Sequence, residues 1–87
     1  MYNIDQTKFI YTSYGDQTMW MNIENSEFLE LNSTATHIVE LIMEQPQDLN
    51  SLVSKVCVAY QIEPEECSSD IKEVIETLVH SGLIKTL

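Results

Sequence analysis

The chain has 87 residues, enough for one small domain spanning 1–87 and no second one. Fourteen acidic residues stand against four lysines and no arginine, a net charge of −10. Nucleic acid and anionic membrane are held chiefly through Arg and Lys, so this balance argues against both as partners.

The elements follow in order. Residues 9–12 form a β-branched and aromatic run, and Gly15-Asp16 suits a type II′ hairpin turn in which Gly supplies the positive φ. The next segment alternates, with Thr18, Trp20, Asn22 and Glu24 on one side and Met19, Met21 and Ile23 on the other. The polar pair Asn25-Ser26 then separates it from a short third segment, 27–31. The pattern predicts a three-stranded antiparallel meander with Met19, Met21, Ile23, Leu29 and Leu31 facing the core. Trp20 and Phe28 then face outward, where the N-terminal segment covers them or a partner enzyme docks on them.

Beyond Asn32 the period is helical. Asn32 or Ser33 caps a first helix whose apolar side is Ala35, Ile38, Val39 and Ile42. Asp48 caps a second, with Leu49, Leu52, Val53, Val56 and Tyr60 as its stripe. Pro64 opens a third, which carries Ile71, Val74, Ile75, Leu78 and Val79 and ends at Gly82. Leu83-Ile84 return the tail to the core. Three strands followed by three helices make an α+β fold.

Little in the chain suggests catalysis. His37 and His80 have no partner at ligand spacing, and Cys57 and Cys67 stand ten positions apart, matching no zinc or redox motif. Acidic neighbours of Cys67 oppose thiolate formation. Residues 1–5 have neither a basic region nor an apolar stretch, so no signal peptide is expected. The reading is a cytoplasmic protein with free thiols, not an enzyme, without metal or cofactor.

The residues from Phe28 onward resemble the PqqD-like family, the precursor-peptide recognition elements of ribosomal peptide natural-product (RiPP) pathways. Phe28-Leu29-Glu30-Leu31-Asn32-Ser33-Thr34-Ala35 resembles the family's Leu-Asn-x-x-Ala junction, and Ile38-Val39-Glu40-Leu41 follows it. Leu52-Val53 with Ala59-Tyr60-Gln61-Ile62 resembles the second-helix pattern. Asp70-Ile71, Val74-Ile75, Leu78 and Gly82-Leu83-Ile84 resemble the ending, with aliphatic Val74 where many members carry an aromatic. The resemblance implies a winged helix-turn-helix-like domain that binds a leader peptide. The leader adds as a strand to the edge of the third segment and lies against the third helix. Physics favours the same mode, because an edge strand offers unpaired N–H and C=O groups.

A stand-alone copy of this size looks most like the leader-binding protein of split lasso-peptide systems, which presents the precursor to a leader peptidase and a cyclase. The alternative within the family is the peptide chaperone of a radical-SAM enzyme. Outside it stand an acidic protein-protein adapter and a winged-helix transcription factor. On the leader-binding reading the ladder comes from Glu27, Phe28, Leu29, Glu30 and Leu31. The opposite wall comes from Asp70, Ile71, Val74, Thr77, Leu78 and Ser81. The other flank of the third helix, Lys72, Glu76 and Val79, is the alternative wall; the family-matched Asp70 favours the first.

Overall fold

The computed structural model describes residues 1–86. Its elements are β1 (Tyr2–Ile4), β2 (Phe9–Tyr14), β3 (Gln17–Asn22), β4 (Phe28–Leu31), α1 (Ser33–Glu44), α2 (Leu49–Tyr60), α3 (Pro64–Ser81) and β5 (Ile84–Thr86). β2, β3 and β4 form an antiparallel meander in that spatial order, and β1 pairs with β5 in a separate two-stranded ribbon. The fold is α+β, as the change of period predicts. The meander joins β2 to β3 through Gly15-Asp16, with Tyr14 opposite Gln17. Of these two loop residues only Gly15 takes a positive φ, 64°, as a type II′ turn requires.

The facing of β3 is the reverse of that expected. Trp20 is 2% exposed and belongs to the core, whereas Ile23 is 52% exposed and Met19 and Met21 are only half-buried. Trp20 is therefore no outward docking residue. The cause is parity. Met21 pairs with Phe28 and Trp20 with Leu29, so an even-numbered residue of β3 always faces an odd-numbered one of β4. Directly opposite residues share a face of the sheet. Leu29 and Leu31 turn inward together with Thr18 and Trp20, and Phe28, 66% exposed, turns outward with Met19 and Met21. The four residues 23–26, between Asn22 and its bonding partner Glu27, set this parity.

Inward-facing Thr18 is accommodated because its hydroxyl is fully engaged. The Trp20 indole N–H donates to Thr18 Oγ1 at 3.0 Å, Thr18 and Thr36 hydroxyls bond at 2.9 Å, and Thr36 Oγ1 donates to the Leu31 carbonyl at 3.3 Å. Tyr11, opposite Trp20 and on the same face, stacks its ring on the indole at 4.4 Å.

The helices follow the sequence pattern closely. Asn32 Oδ1 accepts from Ala35 N at 2.9 Å and Asp48 Oδ1 from Ser51 N at 2.7 Å, capping α1 and α2. Gly82, at φ 90°, ends α3 in the left-handed conformation. Ile38, Val39, Ile42, Leu52, Val56, Ile71, Ile75 and Leu78 are buried, joined by Leu83 and Ile84. Tyr60 and Val79, expected within the apolar stripes, lie instead at their exposed margins.

The β1–β5 ribbon has no counterpart in the sequence reading, since three-residue strands are too short to show a period. It is held by Gln47. Tyr2 N donates to the Gln47 carbonyl at 2.7 Å, while the buried Gln47 amide donates to Leu41 O at 3.2 Å and accepts from Ser51 Oγ at 2.6 Å. One residue thus ties the N-terminal strand, through its backbone, to the end of α1 and the start of α2, through its side chain.

Candidate functional site

In the order β2-β3-β4, β4 is an edge of the sheet. The ladder phase shows which of its backbone groups are free. Asn22 N donates to the Glu27 carbonyl at 2.9 Å, so position 27 bonds toward β3. Bonding direction alternates along an antiparallel strand, so 29 and 31 also point toward β3. Phe28 and Glu30 therefore turn their N–H and C=O groups to the open edge.

Beside that edge lies a cleft of about 360 Å³. Leu29, Glu30 and Leu31 form one side, the α1 corner at Asn32 and Ala35 closes one end, and Asp70, Glu73, Val74, Thr77 and Leu78 of α3 form the opposite wall. Its floor is apolar: Leu31, Ala35 and Leu78 are buried, and Leu29 and Val74 half-buried. Its rim is acidic, with Asp70 and Glu73 exposed, while Glu30, opposite Met19, turns its side chain to the outer face. No lysine is among these lining residues.

The flank of α3 that faces β4 is thus the one carrying Asp70, Val74 and Thr77. Glu76 and Val79 face the other way, into a separate groove beside Tyr2 and Thr86. Ile71 does not reach the cleft; it is a core residue beneath it. Thr77 Oγ1 donates to the Glu73 carbonyl at 3.0 Å, so its hydroxyl is committed to its own helix. Ser81 sits in a smaller hollow with Phe9, Glu27, Phe28 and Leu29, where its hydroxyl donates to Leu78 O at 2.8 Å and accepts from Leu83 N at 3.3 Å. It finishes the helix as well as marking the far end of the groove. Glu73, Asn32 and Ala35 line the cleft without being among the site residues expected from sequence, although Asn32 and Ala35 stand in the Leu-Asn-x-x-Ala junction. Glu73 shares the flank of Asp70 and Thr77 through its i+3 and i−4 spacing, a signal present in the helical wheel.

The family model for coenzyme PQQ synthesis protein D (PqqD) matches residues 17–84. The chain belongs to the PqqD family. The matched span contains every residue of the cleft, from Leu29 in β4 to Leu78 in α3. Two solved structures share this PqqD-family fold. One is TbiB1 in complex with the TbiA(beta) leader peptide, with a TM-score of 0.84, 14% identity, and coverage of 98% of this chain and 96% of the other. The second is lasso peptide synthetase B1 complexed with the leader peptide, with a TM-score of 0.82, 15% identity, and 98% of each chain covered. No curated protein matches at a significant level. Among the described residues, no helix is long and apolar enough to cross a membrane.

Proposed function

We propose that this PqqD-family chain binds the leader of a ribosomally made precursor peptide by strand addition to β4, and presents it to a leader peptidase and cyclase in lasso-peptide biosynthesis. The observation that carries this reading is the free edge of β4, with the outward-turned backbone of Phe28 and Glu30, set beside an apolar cleft walled by α3. Backbone bonds supply affinity, and side chains alternating into the cleft supply selectivity. β2 is the other edge of the sheet, but the cleft against α3 opens only beside β4. The two leader-bound proteins of the same fold support the reading, and lasso peptide synthetase B1 among them favours the lasso pathway. Membership of the family of coenzyme PQQ synthesis protein D favours a second reading, the peptide chaperone of a modifying enzyme, which the sequence resemblance takes to be a radical-SAM enzyme. On either reading the chain works in the cytoplasm and performs no chemistry of its own.

An NMR titration tests the site, using synthetic leaders taken from short reading frames beside this chain's own. The amides of Phe28, Glu30 and Val74 should shift, and those of Phe28 and Glu30 should become protected from exchange. Val74→Asp places a charge against the bound strand and should weaken binding at least about tenfold, roughly 1.4 kcal/mol. Shifts confined to other faces, or unchanged affinity in a folded Val74→Asp protein, would exclude the cleft. Adding each enzyme class in trans separates the two pathway readings.

A further inference from the structure

The cleft is not chemically uniform, and its two walls share a common spacing. We infer that it selects a peptide strand in which a basic residue precedes an apolar residue by two positions. This rests on the leader-binding reading and adds to it the class of sequence recognised.

Ser81 shares its hollow with Glu27, Phe28 and Leu29, whereas the α1 corner at Ala35 closes the cleft that Asp70 lines. α3 therefore runs antiparallel to β4, with the Asp70 end beside Leu31 and the Ser81 end beside Glu27. Pairing antiparallel to β4, the more stable geometry for an added strand, makes the peptide run from the Asp70 end toward the Ser81 end.

Register comes next. Peptide residues opposite Phe28 and Glu30 bond to the edge and turn their side chains to the outer face. Those opposite Leu31 and Leu29 turn into the cleft. Successive inward residues are about 6.7 Å apart, two steps of a strand. Asp70 and Val74 are about 6 Å apart, four steps of a helix. The two spacings agree to within an ångström, so the first inward residue meets Asp70 and the next meets Val74.

Chemistry then assigns each position. Opposite Leu31 the peptide side chain reaches the rim formed by Asp70 and Glu73, where a Lys or Arg lays its aliphatic stem over Ala35 and Leu31 and keeps its charge beside the carboxylates. Opposite Leu29 the side chain enters the apolar stretch between Leu29, Val74 and Leu78, which takes a Leu, Ile or aromatic residue. An acid at the first position meets two like charges and no compensating cation in the lining.

Three labelled nine-residue peptides on a Thr/Ser host test this, with central sequences Lys-Thr-Leu, Glu-Thr-Leu and the reversed Leu-Thr-Lys. Affinities are read by NMR titration at about 150 mM salt, where the Debye length is near 8 Å and only local charge is felt. Lys-Thr-Leu should bind about tenfold tighter than Glu-Thr-Leu and tighter than the reversed order, with the Phe28 and Glu30 amides shifting in each case. The double variant Asp70→Asn, Glu73→Gln, both at exposed positions, should narrow the Lys-to-Glu ratio below about threefold while leaving the Leu contribution intact. If the peptides shift Phe28 and Glu30 yet bind alike, or the reversed order binds best, the selectivity is overturned while leader binding stands. If neither these peptides nor a cognate leader shifts those amides, the leader-binding reading fails and this inference with it.

Discussion

The indole of Trp20 shows why a threonine can face the core of a sheet. Its N–H donates to Thr18, Thr18 donates to Thr36, and Thr36 donates to the Leu31 carbonyl, so each hydroxyl accepts once and gives once. Thr18→Val keeps the shape and removes the acceptor, leaving the buried indole N–H unpaired. The expected cost is about 1–3 kcal/mol, read as a lower urea midpoint, with Thr18→Ser retaining most of the stability. A Thr18→Val protein as stable as the parent would show that the relay contributes nothing. This relay was not legible in the sequence. Thr18, Asn22 and Glu24 read as a polar face and carried Trp20 with them, because nothing in the linear pattern shows that Thr36, eighteen positions on, satisfies Thr18. For Cys67 the acidic neighbours named from sequence count least, through Asp70: burial, followed by Cys57, pushes its thiol up from 9.0 to about 11. Below pH 9.0 both folded and unfolded chains keep this proton. Between 9.0 and about 11 the unfolded chain has lost it while the folded one holds it, so stability falls as pH rises. Urea midpoints of the parent should fall more steeply over that window than those of Cys67→Ala, and parallel slopes would refute the assignment.

At the scale of elements, the caps and helices were readable because each carries its own signal: Asn32, Asp48 and Gly82 punctuate three segments whose apolar positions recur every three or four residues. Strand facing was harder, since it depends on the parity of a loop, and one residue of register inverts every side chain. The flank of α3 could not be fixed by periodicity either. Both flanks border the same buried stripe of Ile71, Ile75 and Leu78, and only the position of β4 makes the Asp70–Val74 side a cleft wall. The ladder phase of β4 yields a sharper prediction than the sequence allowed. Glu30 turns its N–H to the open edge, so Glu30→Pro removes a donor that β3 does not use. The urea midpoint should change little while leader affinity falls at least about tenfold, and Glu30→Ala should bind nearly as well as the parent. Equal leader binding by Glu30→Pro would show that no strand is added at this edge.

At the scale of the whole molecule, charge decides between two uses of one fold. Three helices with a small sheet suit a winged-helix transcription factor as well as a peptide binder, and in the former the third helix enters the major groove. Here α3 carries Glu65, Glu66, Asp70, Glu73 and Glu76 against Lys72 as its one fully charged cation. A DNA-binding protein that neutralises six to ten phosphates loses about 10³–10⁵ in affinity between 50 and 200 mM salt, because counterion release drives its binding. This chain, at −10 with no arginine, has no comparable set of contacts to make. A peptide held by a backbone ladder and an apolar cleft depends on salt only through its rim pairs, each worth about 0.2–1 kcal/mol. Leader affinity should therefore fall less than about tenfold over that same salt range, while no sequence-selective duplex complex forms at about 150 mM. Fluorescence anisotropy across the salt series measures both. A duplex complex that survives about 150 mM salt with sequence selectivity would assign α3 to the groove of DNA and take the cleft beside β4 out of the function.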